Sequence, residues 1–281
     1  MTIRPLLTIP EFREVIALEQ EIWGASVPDD AVGIPMFVAT LKRGAILLGA
    51  RDGGRLVGFV YSFPGLKDGC PMQWSHMLGV RPAYRASGIG RELKLEQRRV
   101  SLAMGIDLME WTFDPLVAVN ARLNLRRLGV EVEEYAVDVY GDSVSPLHRG
   151  APTDRFIAQW RMRSPRVEAL LGGSGAPAGE EAWRDVPRVN DAGREGSRLV
   201  CRGFDLARSE PRLAVAIPPR YIDMLDARPE AAHAWRMATR AIFTAYLSRG
   251  YRVVDFAFGP DADRGTYLLE APSPSALPAH L

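Results

Sequence analysis

Leu78-Gly79-Val80-Arg81-Pro82-Ala83-Tyr84-Arg85-Ala86-Ser87-Gly88-Ile89-Gly90-Arg91 is the stretch that decides how this chain is read. An apolar strand ends near Val80, and Pro82 stops sheet pairing because it has no N–H to donate. Ser87, Gly88 and Gly90 then lack bulk where an amphipathic helix, expected over Gly88–Met104, begins. A helix start leaves backbone N–H groups unpaired and carries partial positive charge, so it suits a phosphate or pyrophosphate. Arg85 and Arg91 add charge of the kind that binds phosphate. A bare Gly-x-Gly is often only a tight turn; the conjunction of strand, proline, Arg-x-x-Gly-x-Gly and helix says more. No Gly-Lys-Ser/Thr follows, as a Walker A loop requires, and the three glycines of a dinucleotide fingerprint are absent.

Outward from the loop, Thr2–Leu7 reads as a short strand. Thr8 and Glu11 have capping-box spacing, and the apolar residues that follow give a helix over 9–23. A short helix is expected at Met36–Lys42, then a hairpin of Ala45–Ala50 and Arg55–Phe63 about Asp52-Gly53-Gly54. Strands follow at Gln73–Val80 and Ile106–Phe113, a helix at Val117–Leu128 stopped by Gly129, and strands at Val130–Tyr140 and Phe156–Met162. The order β-α-α-β-β-β-α-β-α-β-β points to an α/β (α+β) fold with a mixed central sheet flanked by helices.

Composition changes from Leu171 to Ser197, where Gly, Ala, Glu and Arg dominate and periodicity is lost. The expected division is a domain over 1–165, a linker over 166–197, a smaller C-terminal α/β domain over 198–270 and a tail over 271–281. In the C-terminal part, strands are expected at Arg198–Phe204, Leu213–Ile217, Tyr251–Phe258 and Tyr267–Leu269, with a helix at Pro229–Leu247. Gly105–Pro115 (GIDLMEWTFDP) and Gly250–Pro260 (GYRVVDFAFGP) echo each other. That similarity suggests a duplicated βαβ core, although any two βαβ units share a glycine cap and an apolar strand.

The chain has 281 residues, 47% hydrophobic and 25% charged, with a formal net charge of +1. This balance gives no electrostatic case for nucleic acid or an anionic membrane as partner. No apolar run approaches the roughly 18 residues of a membrane span, and the N-terminus places proline and acidic residues where a signal peptide would be apolar. Cys70 and Cys201 are the only cysteines. They read as reduced thiols of a cytoplasmic protein, and no metal-ligand cluster is expected.

LGVRPAYRASGIGREL resembles motif A of the GNAT acetyltransferases, a Gln/Arg-x-x-Gly-x-Gly/Ala signature after a strand, and Arg85-Ala86-Ser87-Gly88-Ile89-Gly90 fits it. The element order of 1–162 is similar to that family's fold. The run TFDPLVAVNARLNLRRLGV looks most like a group of predicted, largely uncharacterised bacterial acetyltransferases. The resemblance implies acetyl-CoA or another acyl-CoA as cofactor, with the pyrophosphate on the amides of Ser87–Arg91 and the pantetheine arm against Leu78, Gly79 and Val80. It implies acyl transfer to an amine of a small molecule or peptide, in a ternary complex. An acyl-CoA-binding regulatory or scaffolding protein with little turnover is the alternative.

Transfer to an amine needs a base, a polarised carbonyl and a proton for the thiolate. Strand alternation places Trp74, His76 and Leu78 on one face, with Gln73, Ser75 and Met77 on the other. His76 is similar in position to the catalytic histidine of arylalkylamine acetyltransferases and is the first base candidate; it reads equally as a histidine satisfied within the sheet. Glu110 is the second, or else a rim carboxylate. The position of the family's tyrosine acid holds Leu125, and Asn120 and Asn124 are amides that could hydrogen-bond CoA but cannot return a proton. Arg122, Arg126 and Arg127 either meet the 3′-phosphate or form a solvated face. Trp23, Trp74, Trp111 and Phe113 line an acceptor pocket or pack a core. Asp114 faces the acceptor or caps the next helix. Pro218–Glu230 lies where a second loop should be but has no Gly-x-Gly, so the C-terminal part is expected to complete the sheet, wall a cleft or mediate a homodimer.

Overall fold

The computed structural model describes residues 1–24, 32–141, 150–173, 180–183, 185–196, 198–259 and 262–272. Most of the expected tail, 273–281, lies outside them. The chain divides into two compact units. Unit 1 comprises 1–111 with 160–164, and unit 2 comprises 112–143, 150–159 and 165–281.

In unit 1, β1 (Thr2–Pro5), β2 (Ile46–Asp52), β3 (Arg55–Lys67) and β4 (Cys70–Val80) pair antiparallel in that order. The start of β5 (Leu108–Phe113) lies parallel to β4. Helix α1 (Ile9–Trp23) spans the expected residues, and the Thr8 amide donates to Glu11 at its start, 3.0 Å. Together with α2 (Ile34–Leu41) it covers one face of the sheet, where Phe12, Val15, Leu18 and Phe37 pack on Phe59, Tyr61 and Met77. Helix α3 (Ile89–Ala103) covers the other face, with Ile89 and Leu93 on Val57 and Val60. Each such fully buried aliphatic side chain is worth about 1.5–3 kcal/mol. The hairpin at Gly53-Gly54 uses positive φ at both glycines, +53° and +87°, as a tight turn between right-twisted strands requires.

Strands β3 and β4 run past the expected Phe63 and start before the expected Gln73, joined at Asp68-Gly69, which also has positive φ. The Asp-Gly pair was the available signal for this hairpin.

In unit 2, β6 (Glu131–Ala136) pairs antiparallel with the first residues of β7 (Arg155–Arg161) and touches β11 (Arg252–Phe258) at Val132↔Val253. β12 (Gly265–Glu270) lies between β11 and β10 (Arg212–Ile217), antiparallel to both. This corrects the duplicated βαβ expectation. β4 and β5 are parallel neighbours, whereas β12 folds back from β11 and takes the edge that a parallel β10 would need. The stretch expected to be linker holds α5 (Pro165–Leu171) and β8 (Asn190–Glu195), which pairs with β9 (Arg198–Phe204) as a separate ribbon. Pro218–Glu230 contains α6 (Tyr221–Ala227) and the start of α7 (Pro229–Ser248).

The helix expected over Val117–Leu128 is short, α4 (Ala118–Ala121), and then widens into a π-helical turn over Arg122–Arg127. Gly129, at φ +74°, ends it as expected, close against Val167. No helix of the described residues is long and apolar enough to cross a membrane. Both cysteines are free.

Candidate functional site

The loop after β4 is held from below by three anchors within unit 1. Arg81 donates its backbone N–H to Val57 and its Nε–H to Leu56, both at 2.9 Å, and its guanidinium also pairs with Glu21. The Tyr84 hydroxyl donates to Asp52, 3.0 Å, while its ring packs beside Val80. Ser87 turns its hydroxyl back to the Tyr84 carbonyl, 2.6 Å. Between these anchors the backbone reverses hand: Ala86 has φ +61° and Gly88 φ +91°. A left-handed residue just before a helix turns successive amides toward one side, making an anion-binding concavity. No side chain caps α3, so its first-turn amides stay open.

The two glycines differ. A Cβ at Gly88 would meet no atom within 4 Å, so the space around it is open. A Cβ at Gly90 would rest against Leu78 and Val80 at ordinary contact distance, 3.8 and 4.0 Å. Arg85 is exposed and Arg91 half-buried.

Upstream, β4 pairs with β5 only at Gln73↔Met109 and Trp74↔Glu110 among the described residues. From Ser75 on, no strand pairs with that edge among the described residues, and near the loop the Val80 carbonyl accepts Arg85 Nε at 3.5 Å. Leu78 and Val80 face α3, and Gly79 lies where a side chain would strike Phe59 and Ile22.

His76 sits at a β-bulge. Register runs Tyr61↔Met77 and then Ser62↔Ser75, so His76 is the extra residue. This corrects the simple alternation: a bulge inserts one unpaired residue and re-aims its side chain. His76 therefore meets the rings of Tyr61 and Phe63, centroids 6.2 and 5.8 Å away, on the side of Met77. Ser75 faces α3 instead, with Leu78. The imidazole keeps solvent access, yet desolvation by its surroundings pushes its pKa below the ordinary histidine value. It is neutral and basic at pH 7.

Glu110, 5% exposed, is engaged by an ion pair with Lys67 at the end of β3. Lys67 escaped the sequence reading because β3 was expected to stop at Phe63. Trp23 packs edge-on against Phe59, and Trp111 against Trp160, so these rings serve the core.

Beneath the bulge lies a group that periodicity alone would place wrongly. Lys94 on α3 is 2% exposed; its Nζ donates to Ser75 Oγ, 2.7 Å, and lies 3.6 Å from the Trp111 ring centroid. Desolvation pushes this amine well below the ordinary lysine value. Burial disfavours the charged form, and the Trp111 face returns only part of that cost. The amine's folded pKa is lowered, so the unfolded chain binds the extra proton and stability rises with pH toward 10.4. Lys94→Met should stabilise at pH 7, because it removes the cost of burying the amine. That gain should shrink by up to ~1.4 kcal/mol per pH unit on going to pH 9 in urea unfolding. A gain independent of pH would show the amine to be charged in the fold.

In unit 2, Asn120 is exposed and Asn124 is buried within the π-helical turn, its carbonyl accepting the Val130 amide at 3.0 Å. Leu125 is fully buried. Arg126 is not on a purely solvated face: it pairs with Asp255, 2.8 Å. Asp114 caps the next turn, accepting the Leu116 amide at 2.8 Å.

Residues 2–161 follow the chain order that the sequence implied, and the glycine loop connects β4 to α3. No known family profile and no curated protein sequence matches this chain. Some solved structures align with part of it. Ribosomal-protein-alanine N-acetyltransferase of Brucella melitensis is 19% identical, over 57% of this chain and 98% of its own, with a TM-score of 0.47. Ribosomal-protein-S18-alanine N-acetyltransferase of Escherichia coli is 16% identical, over 57% and 92%, with a TM-score of 0.44. A GNAT-family acetyltransferase of Elizabethkingia anophelis, solved with acetyl-CoA bound, is 12% identical, over 57% and 97%, with a TM-score of 0.40. Each of these alignments covers 57% of this chain.

Proposed function

We propose that this protein binds an acyl-CoA on the Arg85–Arg91 loop and transfers its acyl group to an amine of a small molecule or peptide. The observation that carries the proposal is the left-handed Gly88 before an uncapped helix, with open space around that residue. A pyrophosphate fits that cradle, with Arg85 and Arg91 adding charge-assisted contacts. The edge of β4 over Leu78 to Val80, which no strand covers, takes an extended amide-containing arm as a sheet edge takes a strand, with Arg85 turning from the Val80 carbonyl to the phosphates. Bound there, an acyl-CoA supplies an activated thioester carbonyl. His76, neutral and reachable by solvent at the bulge, accepts the proton that the amine sheds on attack. Asn120 and Asn124 are proposed as further cofactor contacts, and Glu110 as a second base, released from Lys67 when acceptor binds. The C-terminal part is proposed to mediate a homodimer.

Leu125 favours a second reading. It is an apolar, fully buried residue where the resemblance places the proton-returning tyrosine, which fits an acyl-CoA-binding protein with little turnover. Calorimetry with acetyl-CoA, followed by thiol release over a panel of amines, separates the two. Binding with turnover on at least one amine is expected. Tight binding with no turnover on any amine selects the regulatory reading, and absence of binding removes both.

A further inference from the structure

Unit 2 holds a buried polar cluster whose donors outnumber its acceptors. Arg236 of α7 is 1% exposed, and its Nη2 donates to Asp114 Oδ2 at 2.6 Å. Among the described residues its Nε and Nη1 have no hydrogen-bond partner of ordinary geometry. Tyr221, the first residue of α6, is 2% exposed, and its hydroxyl meets only the Arg236 guanidinium, outside ordinary hydrogen-bond geometry. The Arg236 guanidinium carbon lies 5.1 Å from the Tyr221 ring centroid.

Neighbouring acceptors are taken. Asp114 Oδ1 receives the Leu116 amide, and its Oδ2 also faces Arg155 at 3.7 Å. Asp154 receives Arg240 twice, at 2.9 and 2.7 Å, the Tyr135 hydroxyl at 2.6 Å and the Asp138 amide at 3.1 Å. The Pro115 carbonyl receives the Tyr267 hydroxyl, 2.6 Å. A small turn of the Tyr221 ring could let its oxygen accept one Arg236 N–H, but the phenol proton would then need an acceptor itself. Buried donors left unpaired cost about 1–3 kcal/mol each, more when charged. Such groups persist where something else fills the acceptor role.

We propose that unit 2 contains a buried binding site for a small carboxylate, held by Arg236 and Tyr221. A carboxylate offers acceptors only, which matches a cluster that lacks nothing else, and its single charge balances a guanidinium whose one carboxylate partner is shared with Arg155. The Tyr221 ring beside the guanidinium and the burial of both residues favour a compact or aromatic acid over a hydrated phosphate. The site does not rest on the CoA reading.

The test uses the full chain, with acetate, benzoate and inorganic phosphate each titrated at constant ionic strength against chloride, and the melting temperature as readout. Acetate or benzoate should raise it saturably, as ligands of the native state do, and phosphate should not. Arg236→Gln leaves Asp114 buried beside Arg155 and risks misfolding, so Tyr221→Phe is the decisive variant. Without ligand it should melt no lower than the parent, because the hydroxyl it removes has no partner of ordinary geometry. With ligand its apparent affinity should fall about tenfold, the worth of one hydrogen bond to a charged group. No saturable rise with either carboxylate, an equal rise in Tyr221→Phe, or a lower unliganded melting temperature for that variant would each overturn the site. The last result would mean that water already satisfies the hydroxyl.

Discussion

Gly88→Val should weaken acetyl-CoA binding by about 10–100-fold while Gly90→Ala leaves it within about threefold. The two substitutions lie two residues apart in the same loop, but the backbone treats them differently. Gly88 sits at φ +91°, where an L side chain costs roughly 1–2 kcal/mol and a β-branched one more. Its new side chain would also fill open space at the loop, where the proposed pyrophosphate binds, so strain and obstruction act together. Gly90 lies inside the helix, and its added methyl would meet only Leu78 and Val80 at contact distance. Alanine there also improves helix propensity by up to ~1 kcal/mol. Calorimetric titration of both variants with acetyl-CoA, beside thermal melts, checks the pair. Gly88→Val should melt lower by roughly 2–4 °C per kcal/mol of strain, and the two effects are separable because binding loss should exceed what that fall predicts. Equal affinities in the two variants would remove the loop from the cofactor site.

The contrast between these glycines shows what the sequence made legible. Ser87-Gly88-Ile89-Gly90 announced a helix start with room above it, since glycine and turn chemistry act locally. Helix α1 and strand β9 were recovered to the residue for the same reason, namely that caps and periodicity are short-range signals. What stayed hidden depends on partners distant in the chain. Lys94 is an ordinary helix-former in sequence, and only the packing of α3 on Ser75 and Trp111 makes it a buried amine whose pKa desolvation lowers. Arg236 looked like one more charge on an amphipathic helix until Asp114, 122 residues away, was seen to hold it. The strand order of β10, β12 and β11 was illegible too, because the echo between 105–115 and 250–260 encodes helix-then-strand but not which neighbour the strand takes. The bulge at His76 belongs to the same class. Its extra residue is a mismatch between two strands, so no pattern within β4 alone could reveal it.

That bulge governs the remaining large effect. If His76 is the base, His76→Ala should reduce kcat on the best amine by about 10²–10⁴-fold, the usual worth of a positioned general base. Affinity for acetyl-CoA should hardly change, because the imidazole lies on the Tyr61 and Phe63 side of β4, away from the glycine loop. The pH dependence separates a base from a packing residue. Desolvation lowers the histidine's pKa, so the active neutral form persists below pH 6.5. In the parent, kcat/KM should therefore fall only as pH drops through that lowered value, and His76→Ala should lose this acid limb entirely. Linkage gives the same sign for stability: the folded state disfavours the imidazolium, so the parent should lose stability relative to His76→Ala as pH falls from 6.5, with no loss above it. The stability arm needs no acceptor, and it reports on the environment of the ring even if every amine tried proves inert. A residual rate that keeps the parent's acid limb would transfer the role to Glu110, whose release from Lys67 would then be the step to probe through Lys67→Met.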